Sequence, residues 1–265
     1  MLMIFTNDLS SILFSAGPVE VRWYGLFFAI GIAFNYLFLV WVFKKRNYPI
    51  AHLDSLVIYL FLGLLIGARL GHVFFYDASY FLSNPLEIFK VWNGGLASHG
   101  AAIGLFVAYL TWTKVHKIKF TKYPDVLVLA MPVTAAMVRL GNFFNSELVG
   151  TPTDGTFGVI FKRLGEDFPR HPVQFYEMLL SLAIFAVMFF VYKKYYSKTK
   201  PLFFMFLYML LYFVGRFIVE FWKDQHGVAP EIFGLSMGQI LSIVPVIIAV
   251  IYFVGFIPRM RNRQE

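Results

Sequence analysis

The 265 residues contain no cysteine. That excludes disulfides, thiolate metal sites and a cysteine nucleophile belonging to the chain itself. Charge is scarce too: Asp, Glu, Lys and Arg make up 14%, where soluble domains carry about 25%. Residues 1–18 show neither a basic leader nor a cleavage-site pattern, so no removable signal peptide is expected. No internal repeat, low-complexity tract or soluble domain is evident. The histidines His72, His99 and His171 lie scattered without ligand spacing, so neither a metal nor another cofactor is expected.

What the chain has in excess is apolar residues, 59% of the total. They are laid out in blocks of about 20, the length that crosses a hydrocarbon core. The expectation is an all-α integral membrane protein, one polytopic domain over 1–265. Its seven transmembrane helices run over about 22–43, 55–76, 99–115, 125–143, 173–192, 201–222 and 237–257. Residues 1–20 mix Leu, Ile and Phe with Asp8, Ser10 and Ser11, which suits a short interfacial helix. Fourteen of the 23 Lys and Arg fall in the first, third and fifth connections and the C-terminal tail, against six on the other side. The positive-inside rule then sets the N-terminus outside and the C-terminus in the cytoplasm. The net charge of +8 is therefore topology and attraction to anionic membrane lipid, and no nucleic acid partner is implied. The outward connections 77–98, 143–172 and 223–236 hold most of the Gly, Pro, Asn, Asp and Glu. The working face is thus expected outside, the periplasmic side of a bacterial inner membrane.

The densest polar stretch is Arg139-Leu-Gly-Asn-Phe-Phe-Asn-Ser-Glu-Leu-Val-Gly150, at the outer end of an apolar run. An always-charged guanidinium survives near bilayer depth when it has a partner or a task. Asparagines supply donors and acceptors, and glycines admit a close approach. The stretch reads as a site for an anionic lipid headgroup. Tyr24, in Arg22-Trp-Tyr-Gly25, fits an interfacial aromatic belt or a hydrogen bond to a headgroup. Gly63, Gly67 and Gly71 recur every four residues and mark a close-packing face. Arg69 beside them either snorkels or contacts a phosphate. His99, in the block Asn93-Gly-Gly-Leu-Ala-Ser-His-Gly100, is an acid/base candidate at a glycine-rich entrance, or a residue that satisfies a helix end. Gln174 and Glu177 share a face, and Glu177 is favoured as the partner of Arg139 or Arg216. Tyr212, Arg216 and Glu220 are spaced four and four, one stripe of a helix that should face the bundle. Either Arg216 and Glu220 pair internally, or Arg139 and Arg216 converge on a phosphate.

Taken in order, these motifs resemble the prolipoprotein diacylglyceryl transferase family over nearly the whole chain. They are Arg-Trp-Tyr-Gly, Gly-Gly-x-x-x-His-Gly, Arg-x-Gly-Asn-Phe-x-Asn-x-Glu-x-x-Gly, His-Pro-x-Gln-x-Tyr-Glu, Arg-Phe-x-x-Glu and Met-Gly-Gln-x-Leu-Ser. Departures are Ser98 and Ala101 around the histidine and Ser146 before Glu147. The resemblance implies transfer of the diacylglyceryl group of phosphatidylglycerol to the lipobox cysteine of a preprolipoprotein signal peptide, with release of glycerol phosphate. It implies catalytic roles for His99, Arg139, Tyr212 and Arg216. It also implies phosphatidylglycerol binding by Tyr24, Arg139, Asn142, Glu147, Gly150 and Glu220. His99 is expected as the base, with Tyr212 or electrostatic activation by Arg216 as rivals, and Glu220 is expected to orient Arg216. A transporter would instead show repeats and midplane polar sites.

Overall fold

The computed structural model describes residues 3–17, 19–91, 94–224 and 234–261; Asn93 and most of the 223–236 connection lie outside them. In chain order the helices are α1 (Trp23–Lys45), α2 (Ile50–Phe75), α3 (Ala78–Ser83), α4 (Ser98–Val115), α5 (Pro124–Leu127), α6 (Met131–Asn145), α7 (Val173–Tyr195), α8 (Phe203–Val219) and α9 (Met237–Arg261). By length and composition, α1, α2, α7, α8 and α9 can each cross a membrane. A sixth span arises if α5 and α6, which meet at 47°, count as one. Seven were expected. The 125–143 block is broken because Pro132 sits in the first turn of α6, where its missing N–H and fixed φ start a helix but cannot continue one. Over the 99–115 block, α4 has only 18 residues and ends in the polar run Thr111-Trp-Thr-Lys114.

The all-α expectation needs a correction outside the spans. The segment expected to be an interfacial helix forms strands instead: β1 (Met3–Asn7), β2 (Ile12–Ala16) and β3 (Val19–Arg22), joined later by β4 (Phe157–Phe161). Residues 19–22, Val-Glu-Val-Arg, alternate as a strand does, Ile and Phe recur in 3–7 and 12–16, and Gly17 at φ +59° turns β2 back onto β3. β1 pairs in parallel with β4, Met3 opposite Phe157 through Asn7 opposite Phe161.

Two compact units emerge, Leu39–Tyr123 and the remainder of the chain. In the former, α2 and α4 pack through glycine, as the four-residue spacing predicts. A Cβ on Gly67 or Gly104 would overlap the backbone of the facing helix, at Gly100 and Gly63 respectively. At the cytoplasmic end of the expected topology Phe43, Trp112 and Tyr123 are fully buried. Phe43 stacks on Tyr123 at 5.2 Å, and the Trp112 indole donates to Ser55 Oγ at 2.9 Å.

In the larger unit, α1 up to Phe38 packs on α6, where the Thr134 hydroxyl donates to the Gly31 carbonyl at 3.0 Å and Asn35 reaches Thr134 Oγ1 at 3.3 Å. The Asp125 carboxylate accepts the Leu202 and Met205 N–H groups at 2.7 and 3.0 Å. It thereby caps the start of α8, whose first donors have no partners within the helix. Outside the helices, β4 and the segment 150–171 form a small platform. Gly150 N–H donates to the His171 carbonyl, Thr151 N–H to the Trp222 carbonyl, and Asn7 Nδ2 to the Phe143 carbonyl.

An internal repeat, not evident in the sequence, is visible in the helices. α1 and α4 end at Lys45 and Val115, and α2 and α6 at Phe75 and Asn145, each pair 70 positions apart. Both first helices close on a left-handed residue, Asn47 and Lys117, each at φ 54°. The same bond seals both ends, Tyr48 N–H to the Phe43 carbonyl and Ile118 N–H to the Thr113 carbonyl, each 2.9 Å. Both second helices carry Arg-Leu-Gly in their last turns, at 69–71 and 139–141.

Candidate functional site

The site grows out of the last two turns of α6. Arg139 and Asn142 are three apart and share a face, and Arg139 Nη1 donates to Asn142 Oδ1 at 3.2 Å. Ser146, at φ 54°, ends the helix in the left-handed region and turns Glu147 back, so that its N–H donates to the Asn142 carbonyl at 2.9 Å. Asn142 Nδ2 and Asn145 Nδ2 then donate to the two Glu147 carboxylate oxygens at 3.3 and 3.2 Å. From α7, Gln174 Nε2 donates to the Glu147 carbonyl at 2.7 Å. The tight fold-back leaves Asn145 Oδ1, Ser146 Oγ and Gln174 Oε1 buried without a hydrogen-bond donor among the described residues.

Glu177, one turn beyond Gln174, lies with Oε2 2.7 Å from Arg139 Nε; the side chains are 8% and 14% exposed. This is the partner favoured from sequence. Its other oxygen is 3.7 Å from Lys223 Nζ, which is also 3.7 Å from Glu220 Oε2. Ser236 Oγ donates to Glu220 Oε1 at 3.3 Å, and Gly238 packs so tightly on this carboxylate that a Cβ would overlap it. Arg139, Glu177, Lys223 and Glu220 thus form one chain of alternating charge.

That chain corrects the expected role of Glu220. Its neighbours are Lys223 and Ser236, and no Arg216–Glu220 ion pair occurs among the described residues. Glu220 still lies one helical turn after Arg216, its N–H donating to the Arg216 carbonyl, but the 3₁₀ turn that follows brings Lys223 to its carboxylate. Arg216 is half-buried on α8 and has no counter-charge among the described residues. Tyr212, one turn earlier, packs on Tyr208 and Phe213. Tyr24 lies against α6: a Cβ on Gly141 would come within 3.0 Å of its backbone. Gly150 is explained by packing alone, since a Cβ there would collide with His171 and the Trp222 carbonyl.

His99 belongs to the other unit. It stands exposed in the first turn of α4, with no hydrogen bond among the described residues, so it does not satisfy a helix end. Arg69 neither snorkels nor stays free for a phosphate. It is 5% exposed and spends its donors on backbone carbonyls of the following loop.

Several contributors escape sequence reasoning. Lys223 counted only toward topology, although its place three residues after Glu220 is a signal in retrospect. Arg170 fastens the platform by ion pairs to Glu166 and to Asp224, the latter at 2.6 Å, and by a bond to the Gly150 carbonyl at 3.0 Å. Hydrogen bonds from its guanidinium to Glu166 hold its pKa above the usual arginine value, against a smaller effect of burial.

Apolar helices of spanning length around an ionised, mostly buried cluster make this an integral membrane protein with a polar site of its own. The chain belongs to the prolipoprotein diacylglyceryl transferase family, whose sequence profile matches residues 11–255. A protein of Tolumonas auensis named phosphatidylglycerol–prolipoprotein diacylglyceryl transferase is 39% identical over 249 residues, covering 93% of this chain and 95% of that protein. Proteins of the same name from Chloroherpeton thalassium and Bacteroides fragilis are 39% identical over 246 residues and 36% over 262. These cover 92% and 94% of this chain, and 91% and 94% of the relatives.

Proposed function

We infer that the protein transfers the diacylglyceryl group of phosphatidylglycerol to prolipoproteins, the first step of bacterial lipoprotein maturation. The observation that carries this reading is Arg216: a half-buried guanidinium on an apolar helix, without a counter-charge among the described residues. Such a group needs an anion, and phosphatidylglycerol brings one. Arg139 holds and aligns the lipid through donors that Glu177 and Asn142 leave over. The buried acceptors Asn145 Oδ1, Ser146 Oγ and Gln174 Oε1 suit the hydroxyl hydrogens of the headgroup glycerol. Asn142 and Glu147 fix that pocket, Tyr24 shapes its wall, and Gly150 supports it from behind by letting the neighbouring backbone close up.

The sulfur nucleophile comes from the lipobox cysteine of the substrate, since the chain has none. Its thiol, of pKa about 8.5, must first lose a proton. His99 takes that proton at a ring nitrogen. The thiolate attacks the glycerol carbon that bears the phosphate ester. A C–S bond forms, the C–O bond breaks, and glycerol phosphate leaves with the bonding electrons. Arg216 stabilises the charge that gathers on this leaving group. On the seven-span topology expected from the charge pattern of the sequence, with the N-terminus outside, the polar end faces the periplasm, and lipid and signal-peptide helix enter from the bilayer.

The test is release of glycerol phosphate from phosphatidylglycerol by detergent-solubilised protein with a lipobox peptide. Release should require the peptide thiol, fall at least about 100-fold in Arg139→Ala and Arg216→Ala, and fall similarly in His99→Gln. No release from folded wild type would overturn the reading. Full activity in His99→Gln would move the base elsewhere.

A further inference from the structure

The repeat gives Arg69 and Arg139 the same address, the last turns of equivalent helices, yet opposite company. Arg139 pairs with carboxylate and carboxamide. Among the described residues Arg69 hydrogen-bonds only to backbone carbonyls: Nε donates to Ile88 at 2.8 Å, Nη2 to Glu87 at 2.5 Å, and Nη1 to Gly94 and Gly95 at 2.7 and 3.2 Å. Its guanidinium carbon lies 4.8 Å from the centre of the Phe81 ring. One planar fork thereby holds both ends of the loop together.

That loop runs straight into α4. Gly95, at φ +72°, sits where a Cβ would be 2.6 Å from the His72 ring and 2.9 Å from Arg69 Nη1, so only glycine fits under the clamp. Two residues on, Ala97 N–H donates to the Ala68 carbonyl at 2.9 Å, and its own carbonyl accepts the Ala101 N–H of α4. His99 follows in the first turn with no hydrogen bond of its own among the described residues. A ring with no side-chain partner takes its direction from the backbone that carries it, and that backbone is held by Arg69.

We propose that Arg69 is a positioning residue for His99: through the carbonyls of Glu87, Ile88, Gly94 and Gly95 it fixes the entry of α4, and with it the imidazole. The proposal rests on the reading of His99 as the base. It treats Arg69 as the repeat's counterpart of Arg139 turned from side-chain partners to backbone.

The experiment compares wild type, Arg69→Ala, Arg69→Lys, Gly95→Ala and His99→Gln in detergent. It measures glycerol phosphate release at varied phosphatidylglycerol, and amide hydrogen exchange over residues 86–97. Gly95→Ala loosens the clamp from the loop side with Arg69 in place, so the test stands even if Arg69→Ala does not fold. Exchange over 86–97 should rise in Arg69→Ala and Gly95→Ala, with kcat down about tenfold or more and KM for phosphatidylglycerol within about twofold. Arg69→Lys should fall between, because an ammonium cannot span two pairs of carbonyls. A raised KM at unchanged kcat would make Arg69 a lipid contact and overturn the proposal. Unchanged exchange would overturn it too, as would raised exchange with kcat intact while His99→Gln is inactive. Wild-type kcat in His99→Gln would show that the histidine reading itself failed, and the positioning role with it.

Discussion

Arg139 and Glu177 meet where both are mostly buried, so neither can lose the other to water. Breaking a buried pair from one side leaves a charge uncompensated and costs roughly 3–5 kcal/mol. Glu177→Gln should therefore lower the thermal unfolding temperature in detergent and abolish most activity, with Glu177→Asp milder in both measurements. Gly150 makes a contrasting case. A methyl there meets two backbone segments rather than a flexible side-chain tip, and forcing extra atoms into such a place costs about 1–3 kcal/mol. Gly150→Ala is expected to lower the unfolding temperature while the folded fraction keeps its KM for phosphatidylglycerol. A raised KM without a stability change would make Gly150 a ligand contact instead.

At the scale of elements, the ends of helices are held from outside themselves. Asp125 accepts two N–H groups at the start of α8, and loss of a capping side chain typically costs about 1 kcal/mol. Asp125→Ala should show faster amide exchange at residues 202–205 and a lower unfolding temperature; protection unchanged from wild type would refute the cap. In the loop before β4, the Asp154 carboxylate is held below the usual range, first by the Thr156 hydroxyl and then by the Thr156 N–H. A carboxylate with a depressed folded pKa adds stability above its unfolded value of about 3.9 and loses it as pH falls through the folded one. Asp154→Asn should accordingly flatten the stability curve on the acid side of that value, leaving its slope near neutrality unchanged.

For the molecule as a whole, the sequence was legible wherever chemistry is periodic or costly. The glycine spacing of α2 named a packing face, and an intramembrane Glu177 demanded a cation. What it hid were partners that have no side chain to read. The donors of Arg69 end on carbonyls, so no residue type announced them. The strands at residues 3–22 read as an interfacial helix because Leu, Ile and Phe dominate, although Val-Glu-Val-Arg at 19–22 and Gly17 argued otherwise. The α1–α2 and α4–α6 repeat was masked because two apolar helices differ freely in which apolar residue they use, leaving Arg-Leu-Gly and the helix ends as its trace. The neighbours of Glu220 were hidden as well, since Ser236 comes from a distant segment and Lys223 from the turn beyond the helix.

The parallel pairing of β1 with β4 sets an order in time. Met3 through Asn7 leave the ribosome long before the strand they pair with, Phe157–Phe161, which comes only after α1 to α6 have been made. Until then β1 is an unpaired, apolar edge, the kind of segment that joins the wrong neighbour. A strand made before every helix has to wait for a strand made after six of them.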